Sequence, residues 1–387
     1  MKLCIVTPSI VKGDGQGRAN YEIVWESLRR GHEVTLLSRR IDPELQQHPK
    51  VKWVFFAVEG LPLQLLREIS FAWQSAARLQ QHRHEFDVLQ VYGAVTPFPA
   101  DVNTSQFVHS AWLRSPYHIS RQRRDPYGAY QWLYSVLNTR WEKQAFRQAK
   151  FAIAVSDKIC EELVEIGVPR DRIHVILNGV DLQEFSPGSV SRQALNLPEN
   201  VTLGLFVGDI RVNRKNLDTV LYAVAEVPEL HLVVAGDTAR SPYPKMAAEL
   251  GIQDRVHFLG FRRDIAGLMQ AVDLFVFPSR YEACTLVLLE AMASGLPVIT
   301  AVSAGGSEIV TPDCGFVLSD SDDVNALAQA LQTLTADVEL RTKMGLASRA
   351  AIVHHSWASK AQSYVDLFEL IEPQHALEQP NAMLKIV

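Results

Sequence analysis

The sequence predicts an α/β protein built from two doubly wound domains. Three observations carry this. Short apolar runs rich in β-branched residues alternate with longer amphipathic stretches, the alternation begins afresh near residue 200, and Gly, Asn, Asp and Pro concentrate between the two series. At 387 residues and 47% apolar, the chain is also too long for one compact core and ample for two.

The first series of strands is expected at Leu3–Pro8, Val34–Ser38, Trp53–Val58, Val88–Tyr92, Phe151–Ser156 and Val175–Leu177. The second is expected at Leu203–Gly208, Leu230–Gly236, Val256–Gly260, Leu274–Pro278, Pro297–Thr300 and Gly315–Leu318. Between them lies Asn178–Gly188, NGVDLQEFSPG, where a chain would leave one sheet for the next. The expected domains are therefore 1–185 and 186–356. A last helical pattern, Trp357–Ile371, is expected to stop at Pro373. With the tail it forms a segment 357–387 that could join either domain, including by packing back on the first; its end is expected to fray.

Composition excludes several classes. With 38 basic and 43 acidic side chains, the chain has no global attraction for nucleic acid. Cys4, Cys160, Cys284 and Cys314 are scattered, without zinc-type pairing or a disulfide framework, and read as reduced thiols of a cytoplasmic protein. The start, MKLCIVTPSI, reads as a buried strand and not as a signal peptide. No run approaches the roughly 20 apolar residues of a membrane span.

In open parallel sheets ligands sit beyond the carboxyl ends of the strands, so two such domains facing a cleft would serve it with loops from both. After the first strand comes Gly13-Asp14-Gly15-Gln16-Gly17 and then a helix to Arg30. Its amides could take a phosphate or a sugar hydroxyl, and the alternative is a plain tight turn. The spacing is not the dinucleotide fingerprint, and Ser38-Arg39-Arg40 lacks the acid that holds an adenosine ribose, which disfavours a nicotinamide-dependent oxidoreductase.

In the second series, Gly208 leads into Asp209-Ile210-Arg211-Val212-Asn213-Arg214-Lys215-Asn216 and a helix. Three cations beyond a strand end suit the departure of a diphosphate, against the alternative of a solvated turn. In the stretch Ser279–Pro297, Glu282 falls after a strand and Glu290 within a helix beginning near Thr285. Were all of it helical, the two carboxylates would stand about 12 Å apart. That is too far for a double-displacement glycosidase, so they would serve different ligand atoms.

These motifs resemble the family-four group of retaining glycosyltransferases with the two-domain GT-B fold, in which both domains are Rossmann-like. Glu282 and Glu290 match its glutamate-x-seven-glutamate motif. Phe206-Val207-Gly208 through Arg214-Lys215 match its phosphate motif, and Asn178-Gly179-Val180-Asp181 its linker. Gly31-His32-Glu33-Val34, Ser156 and Gly305-Gly306 with Glu308 match further.

The resemblance implies an acceptor-side N-terminal domain and a C-terminal domain that binds the nucleotide sugar. It gives Lys215 the donor diphosphate, Glu290 the ribose hydroxyls, and the amides of Thr285, Leu286 and Val287 the phosphates. Glu282 and His109 would sit by the transferred sugar, making His109, Lys215 and Glu282 the catalytic set. Gly15, Gly17, Gly208, Arg211 and Arg214 complete the donor site. Three departures stand out: Asp209 replaces the usual Arg, with Arg211 or Arg214 as substitutes; Ala283-Cys284-Thr285 replaces Gly-Phe-Gly; and the N-terminal glycine loop fits loosely.

The expected function is metal-independent, retaining hexosyl transfer from a UDP- or GDP-sugar to a glycan or lipid-linked acceptor, in cell-envelope polysaccharide, lipopolysaccharide or glycoconjugate synthesis. No cofactor is expected. A sugar-nucleotide epimerase on the same fold and a non-catalytic nucleotide-sugar-binding protein are the alternatives. Asp320-Ser321-Asp322, which resembles a metal pattern, reads as a helix N-cap. Residues 112–150 interleave basic and aromatic side chains, which suits either a solvated helix or peripheral contact with the inner face of a membrane.

Overall fold

The structure is a computed structural model that describes residues 1–378 apart from 14 and 59. It divides into two compact units, Met1–Asn178 together with the segment from Trp357, and Gly179–Ser356.

The first unit contains β1 (Lys2–Val6), β2 (Ser9–Ile10), β3 (Glu33–Ser38), β4 (Arg40–Ile41), β5 (Val51–Phe55), β6 (Val88–Tyr92), β7 (Val102–Ser105), β8 (Phe151–Ala154) and β9 (Ile173–Val175). Seven of these form a parallel sheet in the order β5-β3-β1-β6-β7-β8-β9, while β2 pairs with β4 apart from it. The order turns back on either side of β1, which is the doubly wound pattern.

Strand β7 corrects the expectation of six strands. Its sequence, Val-Asn-Thr-Ser, is polar yet fully buried. Asn103 exchanges two hydrogen bonds with the Gly93 backbone, at 2.7 and 3.0 Å, and Thr104 Oγ1 accepts from Gln90 at 3.2 Å. Hydrogen bonds made by these side chains offset the cost of burying them, so no apolar run marks the strand. The edge strands β5 and β9 also begin two residues before their expected starts.

The second unit contains β10 (Thr202–Val207), β11 (Leu230–Ala235), β12 (Val256–Gly260), β13 (Leu274–Phe277), β14 (Val298–Ala301) and β15 (Gly315–Leu318). They form one parallel sheet in the order β12-β11-β10-β13-β14-β15. All six were expected, because strands covered on both faces read as near-continuous apolar runs. Phe206 and Phe277, buried and 5.2 Å apart between ring centroids, join β10 to β13.

The boundary falls at Asn178/Gly179, seven residues before the one expected. The reason is apolar: Val180 and Phe185 lie in the core of the second unit, and the Val180 N–H donates to His355 O at 2.9 Å. From Trp357 a helix runs to Glu378, packing on the helix Gly15–Arg29 and burying Val365 and Phe368 in the core of the first unit. Arg30 clamps it through Asp366 and Glu369, at 2.7 and 2.9 Å. Pro373 does not stop it, since a proline removes one backbone bond and can be accommodated within a helix. The tail beyond Pro373 was expected to fray; residues 374–378 continue the helix, and residues 379–387 lie outside the described residues.

Candidate active site

The second unit gathers the charged motif residues where β10 and β13 end. Beyond β10, Gly208 lets Lys215 come close: an added Cβ would sit 3.3 Å from the Phe277 ring and 3.5 Å from Lys215 Cγ. A short turn, Asn213–Lys215, ends at Asn216, a buried residue at φ 67° whose amide donates to Pro278 O and Ser321 O at 2.8 and 2.6 Å. This holds the turn against the loop after β13.

Lys215 Nζ then meets Glu282 Oε1 at 2.5 Å, with Arg214 Nη1 3.3 Å and Ser279 Oγ 3.3 Å from the same oxygen. Burial pulls the Lys215 pKa below its ordinary value, against the opposing attraction of Glu282. An ammonium has three donors, and Glu282 takes one.

Arg211 turns to Asp209, at 2.8 Å, and to Asp237, at 3.4 Å, and is half exposed. Of the two residues expected to replace the missing cation, the geometry therefore brings Arg214 to the glutamate and leaves Arg211 on Asp209.

Glu282 is not helical. Its segment bridges to Ala304, the Glu282 N–H donates to Ser303 O, and the Gly305 N–H donates to Glu282 O at 3.0 Å. The 12 Å separation, which assumed a continuous helix, does not apply. The helix Leu286–Ala293 starts after Thr285, and here the expected phosphate amides need correction: the Thr285 N–H already donates to Gly305 O at 2.8 Å. The amides of Leu286 and Val287 remain at the helix start, where the backbone dipole favours an anion. Glu290, one turn along, is pushed up to about 7 by burial and by Glu184.

Arg280 was not singled out by its sequence, yet it organises this site. Its guanidinium forks onto Asp218 at 2.8 Å on both arms and reaches Asp322 at 2.7 Å and Asn213 O at 2.8 Å. Its partners lie 42 to 67 residues away in the chain, a separation that no local spacing reports. Asp322 is thus an ion-pair partner, and the cap of the helix Val324–Ala336 is Asp323, not the expected Asp320-Ser321-Asp322.

In the first unit, Gly15 and Gly17 lie within the opening turn of the helix Gly15–Arg29, so the glycine stretch is part helix and not wholly a loop. His109 begins the helix His109–Arg114 and lines a cavity of about 620 Å³ beyond β1, β6 and β7. Its backbone N–H donates to Glu142 at 2.9 Å, and its Nδ1 is buried without a partner. Burial pulls His109 down to about 4 and pushes Glu142 up to about 8.

The two shifts have opposite consequences for stability. The folded chain keeps a proton on Glu142 that the unfolded chain releases above the ordinary carboxyl value of 4.5, so stability falls as pH rises from there through about 8. Neutral His109 stabilises above the ordinary imidazole value of 6.5, a contribution lost as pH falls through about 4. Glu142→Gln keeps the carbonyl acceptor and cannot ionise. It is expected to melt about 2–4 °C above the parent near pH 8.5, a gain of about 1 kcal/mol, with the gap closing near pH 5. A gap equal at both pH values in thermal unfolding would contradict this.

The Arg, Lys, Trp and Tyr side chains of 112–150 are all exposed or partly exposed, and some of the cations are held in ion pairs. Tyr127, Trp132 and Trp141 are exposed on the helix Pro126–Gln148, while Arg114 pairs with Glu165 and Arg123 with Asp125. Among the described residues no helix is long and apolar enough to cross a membrane.

The family model described as Glycosyltransferase Family 4 matches residues 13–184, and that described as Glycosyl transferases group 1 matches residues 189–351. The chain belongs to this glycosyltransferase family. A family-four relative, the D-inositol 3-phosphate glycosyltransferase of Xylanimonas cellulosilytica, is 33% identical over 59% of this chain and 58% of its own length. A second, from Corynebacterium kroppenstedtii, is 35% identical over 51% of this chain and 48% of its own. The chain thus spans about half the length of the curated relatives it matches.

Solved structures show the GT-B fold. Sucrose-phosphate synthase from Thermosynechococcus elongatus superposes with a TM-score of 0.76 at 20% identity, covering 96% of this chain and 99% of that one. Anabaena HepE, solved with UDP and glucose, gives 0.67 at 23% identity over 96% and 100%.

Proposed function

We propose that this glycosyltransferase moves a hexose, with retention of configuration, from a UDP- or GDP-sugar to a glycan or lipid-linked acceptor of cell-envelope or glycoconjugate synthesis. One observation carries the reading: after β10 and β13, Lys215 is held on Glu282, and the helix that follows begins with the amides of Leu286 and Val287. That Anabaena HepE was solved with UDP and glucose supports the donor class.

In the inferred reaction the bond between the anomeric carbon and the diphosphate oxygen breaks, and its electron pair leaves with the diphosphate. The acceptor hydroxyl oxygen bonds to that carbon from the same face, and its proton passes to the departing phosphate oxygen. Lys215 and the two amides stabilise the charge that develops on the leaving group. Glu282 orients Lys215 and faces the sugar. Glu290, pushed up to about 7, exists near neutral pH in both its protonated and ionised forms and can donate to or accept from a ribose hydroxyl. His109, uncharged above about pH 4, offers a hydrogen bond and no charge. The scheme uses no metal or cofactor.

The test is a thermal-shift screen of the full chain against UDP, GDP, ADP and their sugar conjugates. One nucleotide diphosphate is expected to stabilise the protein by about 2.7 kcal/mol at a hundredfold excess over its dissociation constant. Absence of a shift with every nucleotide would overturn the reading.

A further inference from the structure

The cavity of the first unit, about 620 Å³, is of the size that holds small molecules. Its walls are mainly apolar, with Phe71, Ala72 and Trp73 from the helix Gln64–His82, Val95 from the loop after β6, and Trp141 from the helix Pro126–Gln148. Trp73 is 72% exposed, so part of this apolar wall faces water.

Two cations interrupt the apolar wall. Arg39, just after β3, and Arg67 both line the cavity, and among the described residues neither forms an ion pair. Arg67 Nε is shut away from solvent without a hydrogen-bond partner, an arrangement that costs free energy until an acceptor reaches it. The carboxylates lining the cavity are engaged elsewhere. Glu68 accepts from Tyr134 Oη at 2.8 Å and Gln64 Nε2 at 2.9 Å. Glu142 accepts from the backbone of His109, and burial keeps it protonated near neutral pH. Against the two guanidinium groups stands the one carboxylate of Glu68, which leaves positive charge in excess beside an apolar surface.

We propose that this cavity binds the acceptor as an amphiphile, a single apolar chain lying against Phe71, Trp73 and Trp141 with a phosphate ester held by Arg39 and Arg67. Its role as acceptor rests on the transferase reading; its chemistry rests on the cavity alone. Phosphate oxygens match the fork of a guanidinium, and the chain covers the aromatic wall.

Calorimetric titration of the full chain with dodecyl phosphate, below its micellar concentration, tests this against inorganic phosphate and dodecyl maltoside. Dodecyl phosphate is expected to saturate one site. Affinity should fall at least about tenfold, or 1.4 kcal/mol, in Arg67→Gln, and similarly in Ala72→Phe, which narrows the cavity. Inorganic phosphate and the maltoside should each bind at least about tenfold more weakly than dodecyl phosphate.

Equal binding of inorganic phosphate would point to a free anion, and equal binding of the maltoside to an apolar contact alone. Either outcome, no binding at all, or unchanged binding in both variants overturns the proposal. The nucleotide screen on the same preparation separates the failures: dodecyl phosphate bound without any nucleotide shift removes the transferase reading, and the reverse removes only the amphiphile.

Discussion

Lys215→Ala is expected to lower turnover about 10²–10³-fold, the loss of roughly 3–4 kcal/mol that follows removal of one positioned donor to developing negative charge. Among the described residues the site contains no spare cation at that position. Arg214 is tied to Tyr281 O at 3.2 Å and to Glu282, and Arg211 to Asp209 and Asp237. Lys215→Arg should not restore the rate, because Phe277 and the Gly208 backbone close on the lysine stem and leave little room for a planar fork. Stability should fall by only about 1–2 kcal/mol, since Arg214 and Ser279 still face the Glu282 carboxylate. Steady-state turnover of a nucleotide sugar, with unfolding followed in parallel, separates the two effects. Turnover within about threefold of the parent would remove Lys215 from the leaving-group role.

What the sequence made legible follows from which forces are local. Strands β10 to β15 announce themselves as apolar runs, and Lys215 and Glu282 stand beyond strand ends, with Glu290 inside a helix, all in elements that short-range pattern locates. Strand β7 was hidden because its burial depends on side-chain bonds to Gly93 and Gln90, partners 10 and 14 residues away. Thr285 shows a finer limit: pattern placed it at a helix start, but only the packing of the 303–305 loop reveals that its amide is already taken. The linker boundary moved because Val180 and Phe185 supply core to a unit that their position between the two series did not assign.

The largest expected loss of stability at the site comes from Arg280→Ala. The guanidinium is 7% exposed and joins three segments: Asn213 in the turn that carries Lys215, Asp218 in the helix Leu217–Ala225, and Asp322 before the helix Val324–Ala336. Asp218 and Asp322 raise its pKa above the ordinary value in spite of burial. Truncation removes the cation from two carboxylates, though both keep some contact with water, so the cost is set below that of a fully buried pair, at about 2–3 kcal/mol. In a unit of this size that is about 5–10 °C in Tm.

The loss should extend beyond stability, because the Arg280 side chain donates to Asn213 O at 2.8 Å and so fixes the turn that presents Lys215, whereas the backbone bond from Arg280 N–H to Arg214 O is kept in the variant. Nucleotide diphosphate affinity is therefore expected to fall about tenfold even below the melting transition, by about 1.4 kcal/mol. Arg280→Lys supplies the charge without the fork and should recover less than half of either loss. Full recovery in Lys, measured by calorimetric titration of the nucleotide and by thermal unfolding, would show that charge alone matters and that Arg280 does not set the geometry of the Lys215 turn.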